Sequence, residues 1–380
     1  MTRFFHAVIV GGGPAGLCAA IVLRREGLDV AVVEKRALPA DKACGEGIMP
    51  RGLELLTELG VMDRIAGLGH PIHGITYSAG NKTATADFLE GPGLGLRRPD
   101  LSRALYQIAR DLGVIFYSDD LLPTFPFNGK VNLKSEQIQT NLLVAADGLH
   151  SRIRRLAGLQ NKHRSHHRWG IRQHFKTQNT TDYVQVILGE NCEAYITPIG
   201  PHEVGQAILW NSKKISPAGG DDAYDSLRDF LPNSLVDGET TSAALAVGPL
   251  EQRSNGVITD GCVLLGDAAG YVDAITGEGI SLAVEEAFAL RVLVPALHNA
   301  TRPLQKPELL PYAKEYRRIT LNYKTSTRAL LFLSKRFWLA QWVVAFLSRR
   351  TRVFQAFLSF NMGTLGFRGI CLAILGFNRK

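Results

Sequence analysis

Residues 4–36, FFHAVIVGGGPAGLCAAIVLRREGLDVAVVEKR, leave a folding chain few options. Residues 5–10 are apolar and predict a strand, residues 15–25 are a run of helix formers, and residues 29–34 turn β-branched again. Strand, glycine turn, helix and strand within about 30 residues make a βαβ unit, because two parallel strands need a crossover of that length. Gly11-Gly12-Gly13-Pro14-Ala15-Gly16 fits G-x-G-x-x-G at the turn. Gly11 permits the turn, Gly13 lets backbone approach a diphosphate, and Gly16 lets helix pack on strand, so that the diphosphate rests on the helix N-terminus. Glu34 follows Gly16 by eighteen residues and ends the second strand, where its carboxylate can accept from an adenosine ribose hydroxyl. The unit therefore predicts a ligand that contains ADP.

The rest of the chain changes period. Around residues 78–88 and 183–210 short alternating strands separated by turn signals predict an antiparallel sheet. NLLVAADGLHSRIRRLAG and GCVLLGDAAGYVDAITGEGISLAVEEAFALRVLVPAL are two further strand-turn-helix passages, whose strands at 142–145 and 263–265 are expected to join the first parallel sheet. The expected fold is thus α/β: a Rossmann-like nucleotide-binding lobe with a parallel sheet (1–75, 95–165 and 255–300), interrupted by an antiparallel-sheet substrate lobe (76–94 and 166–254), with C-terminal helices over 301–380. No internal repeat or low-complexity linker divides the chain.

Composition bears on partners and compartment. Five cysteines (Cys18, Cys44, Cys192, Cys262 and Cys371), widely spaced and without C-x-x-C, indicate neither a disulfide framework nor a zinc site, and a reducing, cytoplasmic compartment fits them. The N-terminus runs straight into the glycine turn without a small-residue cleavage site, so it reads as a buried strand and not as a signal peptide. The net charge of +8 is uneven: residues 313–380 carry thirteen Lys/Arg and one acid, the other 312 residues 30 basic and 34 acidic. The tail mixes Phe, Trp and Leu with these cations at near-helical spacing, and its longest uncharged stretch, residues 337–348, falls well short of the ~20 residues that span a bilayer. It is expected to pack as a helical cap or to lie peripherally on an anionic membrane surface. Nucleic acid is not expected as a partner, since no recognition module accompanies the charge.

VLLGDAAGYVDAITGEGISLA places Asp267 at the tip of a strand and opens a helix with Gly277-Glu278-Gly279. A carboxylate there can bind a polyol hydroxyl, and free N–H groups at a helix start favour an anionic ring edge. A glycine-rich βα turn with an N-cap Asp would have the same sequence.

GGGPAG, Glu34, RRPDLSRAL, VAADGLHSRIR, LLGDAAG and TGEGI stand in an order that resembles the glutathione-reductase-like flavoproteins. That superfamily includes para-hydroxybenzoate hydroxylase-like monooxygenases, geranylgeranyl reductases and flavin-dependent halogenases. The resemblance covers residues 5–290 and implies FAD. The expected contacts are Gly11, Gly13, Pro14, Ala15, Gly16, Glu34, Lys35, Gly45, Gly47, Arg98, Asp147, Gly266, Asp267, Gly277, Gly279 and Ile280. Asp147-Gly148 resembles a hydroxylase motif tied to both FAD and nicotinamide, and without a second G-x-G-x-x-G, NAD(P)H is expected to dock transiently. The branch is set by departures. GDAAGYVDAITGEGI and the cysteine-glycine loop CGEGI look more like geranylgeranyl reductases, whose aromatic lipid-pocket motif is not found, AYITPIG being the nearest position. RWGIRQHF resembles a substrate-side strand of hydroxylase-like members, and the halogenase motif W-x-W-x-I-P is absent. The expected function is an FAD-dependent, NAD(P)H-using monooxygenase of a hydrophobic aromatic, polyketide-like or isoprenoid molecule. The alternatives are a geranylgeranyl-reductase-like alkene reductase and, more distantly, a non-catalytic flavin-binding protein at a membrane surface.

Cys44 is the candidate catalytic residue, in a loop that follows the ribose-binding strand by ten residues. His163, His166 and His167 in NKHRSHHRW share no ligand spacing with a carboxylate or cysteine and read as a basic connector, so no metal is expected. Ser102 and Ser151 lack a paired His/Asp arrangement. In AGGDDAYD, Asp221 or Asp222 is expected to cap a helix that begins near Ala223.

Overall fold

The computed structural model describes residues 2–121, 123–161, 167–178, 181–231 and 238–375. Its central strand β1 (Arg3–Val10) buries Ala7, Val8 and Ile9 completely, as a strand covered on both faces must. The helix α1 (Pro14–Arg25) follows, with proline in its first turn and buried residues from Gly16 to Leu23, and leads to β2 (Val30–Val33). β1 pairs in parallel with β2 on one side and with Gln137–Ala145 on the other. The sheet runs Ile258–Thr259, Cys262–Leu264, Gln137–Ala145, β1, β2, Ile115–Tyr117, and Lys130–Asn132 pairs with Gln137–Ala145 off that path. Parallel pairing places the carboxyl ends of four strands on one edge, so residues 11, 34, 147 and 267 converge although 256 positions separate the first from the last. The strand order reverses at β1, and such a switch point opens a crevice at the carboxyl ends.

The second sheet is ordered Leu245–Val247, Arg168–Lys176, Glu203–Asn211, Cys192–Gly200, Tyr183–Leu188, Gly74–Ala79, Lys82–Asp87. Its pairings are antiparallel except that Tyr183–Leu188 runs parallel to Gly74–Ala79. That hairpin leaves the chain a hundred residues before its neighbour, so no tight turn dictates an antiparallel join. A small sheet (Gly47–Ile48, Gly93–Gly95, His70–Ile72) connects the two. A Cβ on Gly95 would meet the Pro198 carbonyl oxygen at 1.7 Å, a contact that presses this small sheet onto the second one.

The C-terminal residues form helices. Leu310–Ser334 packs on Gly279–Ala289 and buries Tyr312, Tyr316 and Tyr323; Phe337–Ser348 and Thr351–Asn361 cover the hairpin Gly74–Asp87, where Phe354 meets Tyr77 with ring centroids 5.4 Å apart. Among the described residues no single helix is long and apolar enough to cross a membrane; Lys306–Ser334 with Phe337–Ser348 reaches that length and apolarity only as a pair bent by 119°. Asp222 stands at the cap position of Ala223–Arg228 without a side-chain hydrogen bond to it. His163 and His166 lie outside the described residues, among which no group of three His, Cys, Asp or Glu could hold a metal.

Candidate functional site

The glycine turn is built by close approaches. Gly11 has φ +115°, and a Cβ there would stand 2.2 Å from the Ala146 carbonyl oxygen; one on Gly16 would stand 1.9 Å from that of Gly11. Gly13 differs, since a Cβ would meet only Arg98 Nη2, at 3.9 Å. That leaves an open, donor-rich cradle at the N-terminus of α1. Glu34 locks the turn: its Oε2 accepts from the Gly12 N–H at 2.7 Å and its Oε1 from the Arg36 N–H at 2.9 Å.

Two adjoining cavities meet at Gly13, Lys42, Ala43, Arg98 and Gly148. The first, about 1750 Å³ of empty space, lies along Gly11, Gly12, Glu34, Lys35, Asp119 and Asp120 at the carboxyl ends of β1 and β2. The second, about 1430 Å³, begins at Pro14, Ala15 and Cys44–Gly47, passes Asp267, Gly277, Gly279 and Ile280, and ends in an apolar chamber of the second sheet. Ile171, Val184, Tyr195, Leu209, Val247 and Leu250 line that chamber. A polar compartment joined to an apolar one suits a long ligand with a nucleotide at one end and a flat ring at the other.

Several contacts test that fit. Arg98 is buried, its Nη1 has no hydrogen-bond partner, and burial pulls its pKa down while Cys44, Asp267, Glu46 and Asp41 pull the other way. A buried unpaired cation is costly, and a diphosphate beside Gly13 would relieve it. Asp267 Oδ2 lies 3.4 Å from Lys42 Nζ, which lines both cavities. Gly279 and Ile280 open the helix Gly279–Ala289 against the second cavity, behind a Gly277 turn with φ +70°. The donors and the buried cation fit an FAD.

Other expected contacts are placed differently. Gly16 and Gly266 line neither large cavity: Gly16 provides the approach of α1 to β1, and Gly266, where a Cβ would stand 2.9 Å from Ala15 Cβ, donates its N–H to Glu286 Oε2 at 2.7 Å. Asp147 lines the first cavity, but its Oδ1 accepts from Ser151 Oγ at 2.5 Å and its Oδ2 from the N–H groups of Arg152 and Ile153 at 2.8 and 3.1 Å. It holds the start of the short helix Arg152–Leu156 while lining the first cavity. Lys35 pairs with Asp120 at 3.6 Å on the cavity rim. Cys44 accepts from the Glu46 N–H at 3.4 Å, and burial pushes its thiol up, so that it stays protonated at neutral pH.

Sequence reasoning passed over Lys42, Arg172 and His174. Arg172 and His174 are fully buried, on the strand Arg168–Lys176, and Glu46 Oε2 lies 2.6 Å from His174 Nε2. The signal was present in RWGIRQHF, where positions of one parity carry Arg168, Arg172 and His174 on a strand otherwise fit for a core.

The family model described as FAD binding domain matches residues 5–318. The chain belongs to this family. It is an FAD-dependent oxidoreductase of the para-hydroxybenzoate hydroxylase-like group. Among similar proteins, the menaquinone reductase of Mycobacterium tuberculosis (strain ATCC 25618 / H37Rv) is 26% identical over 304 residues, 73% of each chain. The FAD-dependent monooxygenase penM of Penicillium crustosum is 24% identical, over 87% of this chain and 79% of its own. Conditioned medium factor receptor 1 of Dictyostelium discoideum is 25% identical over 74% of this chain, which spans 61% of that protein's length. Of solved structures, flavin-dependent brominase Bmp2 superposes with a TM-score of 0.80 at 16% identity, covering 98% of both chains. Halogenase PltM in complex with phloroglucinol and FAD superposes at 0.78 and 15%, covering 98% of this chain and 90% of its own. These two share the fold.

Proposed function

We propose that this FAD-dependent oxidoreductase is a monooxygenase that hydroxylates an apolar aromatic, polyketide-like or isoprenoid small molecule, with NAD(P)H as transient electron donor. The observation that carries the reading is the apolar chamber of Ile171, Val184, Tyr195, Leu209, Val247 and Leu250, which continues from the loop Cys44–Gly47 and the helix start at Gly279. Bound FAD supplies the redox chemistry. Gly13, the N-terminus of α1 and Arg98 would hold its diphosphate, Glu34 would serve its ribose, and Asp267 would take a hydroxyl of its polyol. The free N–H groups at Gly279 and Ile280 favour the anionic edge of the reduced ring. The chamber orients an apolar substrate and keeps water from the reacting centre. Relatives named FAD-dependent monooxygenases support the choice, since penM and ptmM align over 87% of this chain, against 73% for the menaquinone reductases.

Reduction of an alkene in a lipophilic substrate is the second reading, favoured by Cys44, whose protonated thiol stands in the flavin-facing loop, and by relatives named digeranylgeranylglycerophospholipid reductase. Purified FAD-loaded protein decides between them. Bleaching by NADPH followed by substrate-dependent incorporation of labelled oxygen from O₂ supports hydroxylation. Stable anaerobic reduction coupled to loss of an alkene overturns it.

Peripheral contact with an anionic membrane belongs to the same proposal. Trp338, Trp342 and Phe346 stand four residues apart on the exposed face of Phe337–Ser348, while Ala340 and Val344 on its other face are buried. Exposed Lys335, Arg336, Arg349 and Arg350 bracket them. Trp at an interface flanked by cations suits a lipid surface. Flotation with vesicles containing phosphatidylglycerol is expected for the full chain and lost in W338E/W342E; equal flotation with neutral vesicles overturns it.

A further inference from the structure

Glu46 carries a backbone strain that its side chain explains. Its φ is +59°, a conformation in which a glycine would be the unstrained choice and in which other residues cost on the order of 1 kcal/mol or more. The conformation turns the carboxylate inward. Oε1 accepts the Arg98 backbone N–H at 2.9 Å and Oε2 faces His174 Nε2 at 2.6 Å. Both side chains are closed to solvent, yet Glu46 lines the flavin-side cavity. Opposite them stands Gly205, where a Cβ would come within 3.0 Å of Glu46 Oε2 and 3.6 Å of the His174 ring.

The ring's other nitrogen leads outward. His174 Nδ1 lies 2.7 Å from Ser242 Oγ and 3.1 Å from Arg172 Nη1. Arginine can only donate, so Nδ1 is the acceptor and the ring proton sits on Nε2, aimed at Glu46. Ser242 is partly exposed and its hydroxyl also reaches the Ala243 carbonyl at 3.2 Å. The remaining charged and titratable groups around the pair are Asp41, which holds Arg172 Nη2 at 2.7 Å, the Arg98 guanidinium, the Cys44 thiol, and the Arg97–Glu203 pair at 2.7 Å, whose Glu203 also takes the Thr241 hydroxyl.

We propose that Glu46, His174 and Ser242 form a proton relay between the flavin-side cavity and solvent. The inference rests on the FAD-binding family and not on which substrate is oxidised or reduced. Protons move in register. Glu46 takes the Nε2 proton as Nδ1 takes the hydroxyl proton of Ser242, and the serine regains one from water, so one proton has entered and sits on the Glu46 carboxyl. The reverse sequence exports one. Two-electron reduction of a flavin takes up at least one proton, and on the cavity wall toward the second sheet the polar side chains are those of Arg172, Tyr195 and Thr197, none of them a carboxylate or an imidazole. His174 and Ser242 act through Glu46 as positioning and transfer groups.

The test reads protons and not turnover. FAD-loaded full-length protein is reduced photochemically without oxygen in weak buffer containing a pH indicator. In the wild type, proton uptake keeps pace with flavin bleaching; in H174Q and E46Q, measured on the FAD-bound fraction, it lags behind bleaching by about tenfold or more. In the apoprotein, a strongly downfield imidazole N–H proton resonance is expected for the wild type and absent in E46Q and H174Q. Uptake in step with bleaching in both variants overturns the relay. Should either lose FAD, S242A, which breaks only the outer end, is decisive: slowed uptake supports the relay and unchanged uptake overturns it. A wild-type chain that takes up no FAD refutes the flavin reading itself, a different failure from bleaching without delay.

Discussion

A single methyl at position 16 separates a working nucleotide turn from a broken one. Any side chain there drives into the Gly11 carbonyl at 1.9 Å, and backbone on both sides cannot yield cheaply. Gly16→Ala is therefore expected to lose about 1–3 kcal/mol of stability and to elute without FAD on gel filtration. Arg98 gives a two-sided prediction. Its buried guanidinium finds no protein partner for Nη1, so Arg98→Met should leave the apoprotein as stable as the wild type or more so. The same change should weaken FAD by about 1.5–3 kcal/mol, tenfold or more, in a flavin-fluorescence titration. Cys44 was legible as a loop residue beside the nucleotide; that its thiol is held neutral depends on burial, which spacing along the chain does not encode.

At the scale of elements, the helix Gly279–Ala289 and its cap carry two carboxyl groups into the core. Burial pushes Glu278 and Glu286 up to about 8 from the ordinary 4.5, although Asn361 and the Gly266 N–H pull the other way. The folded chain thus binds these protons more tightly than the unfolded one. Stability associated with them is fully present below pH 4.5 and declines as pH rises toward 8. E278Q and E286Q should match the wild type near pH 4.5 and exceed it at pH 8 by on the order of 1 kcal/mol or more, read as chemical-denaturation midpoints. The C-terminal cap is a separate element with a separate test. Phe354 is fully buried against Tyr77, so Phe354→Ala should cost about 3–5 kcal/mol in urea unfolding while folded protein keeps its FAD. A basic, aromatic tail announces helices; that two of them settle on the hairpin Gly74–Asp87 follows from which face of the sheet was left uncovered.

For the whole molecule, binding at the junction of several strands should tie separate segments together. FAD at a hundredfold excess over its dissociation constant should stabilise the chain by about 2.7 kcal/mol, seen as a rise in Tm, and ADP should recover only part of it. The βαβ unit, the place of Glu34 at the end of β2 and the ordered motifs were readable because each depends on neighbours within one strand-turn-helix, where local geometry fixes which residue types fit. Ile115–Tyr117 and Lys130–Asn132 escaped notice, being too short for their period to show. Asp147 has a role that its motif did not announce, since its oxygens hold the helix that follows it. The pairing of Glu46 with His174, 128 residues apart, and the apolar chamber drawn from five strands arise only when parallel and antiparallel sheets pack together. The sequence by itself determined the ligand's nucleotide half, because glycine sterics are local. Tertiary structure alone decided the apolar chamber, because its wall is made of residues brought together by packing across the chain.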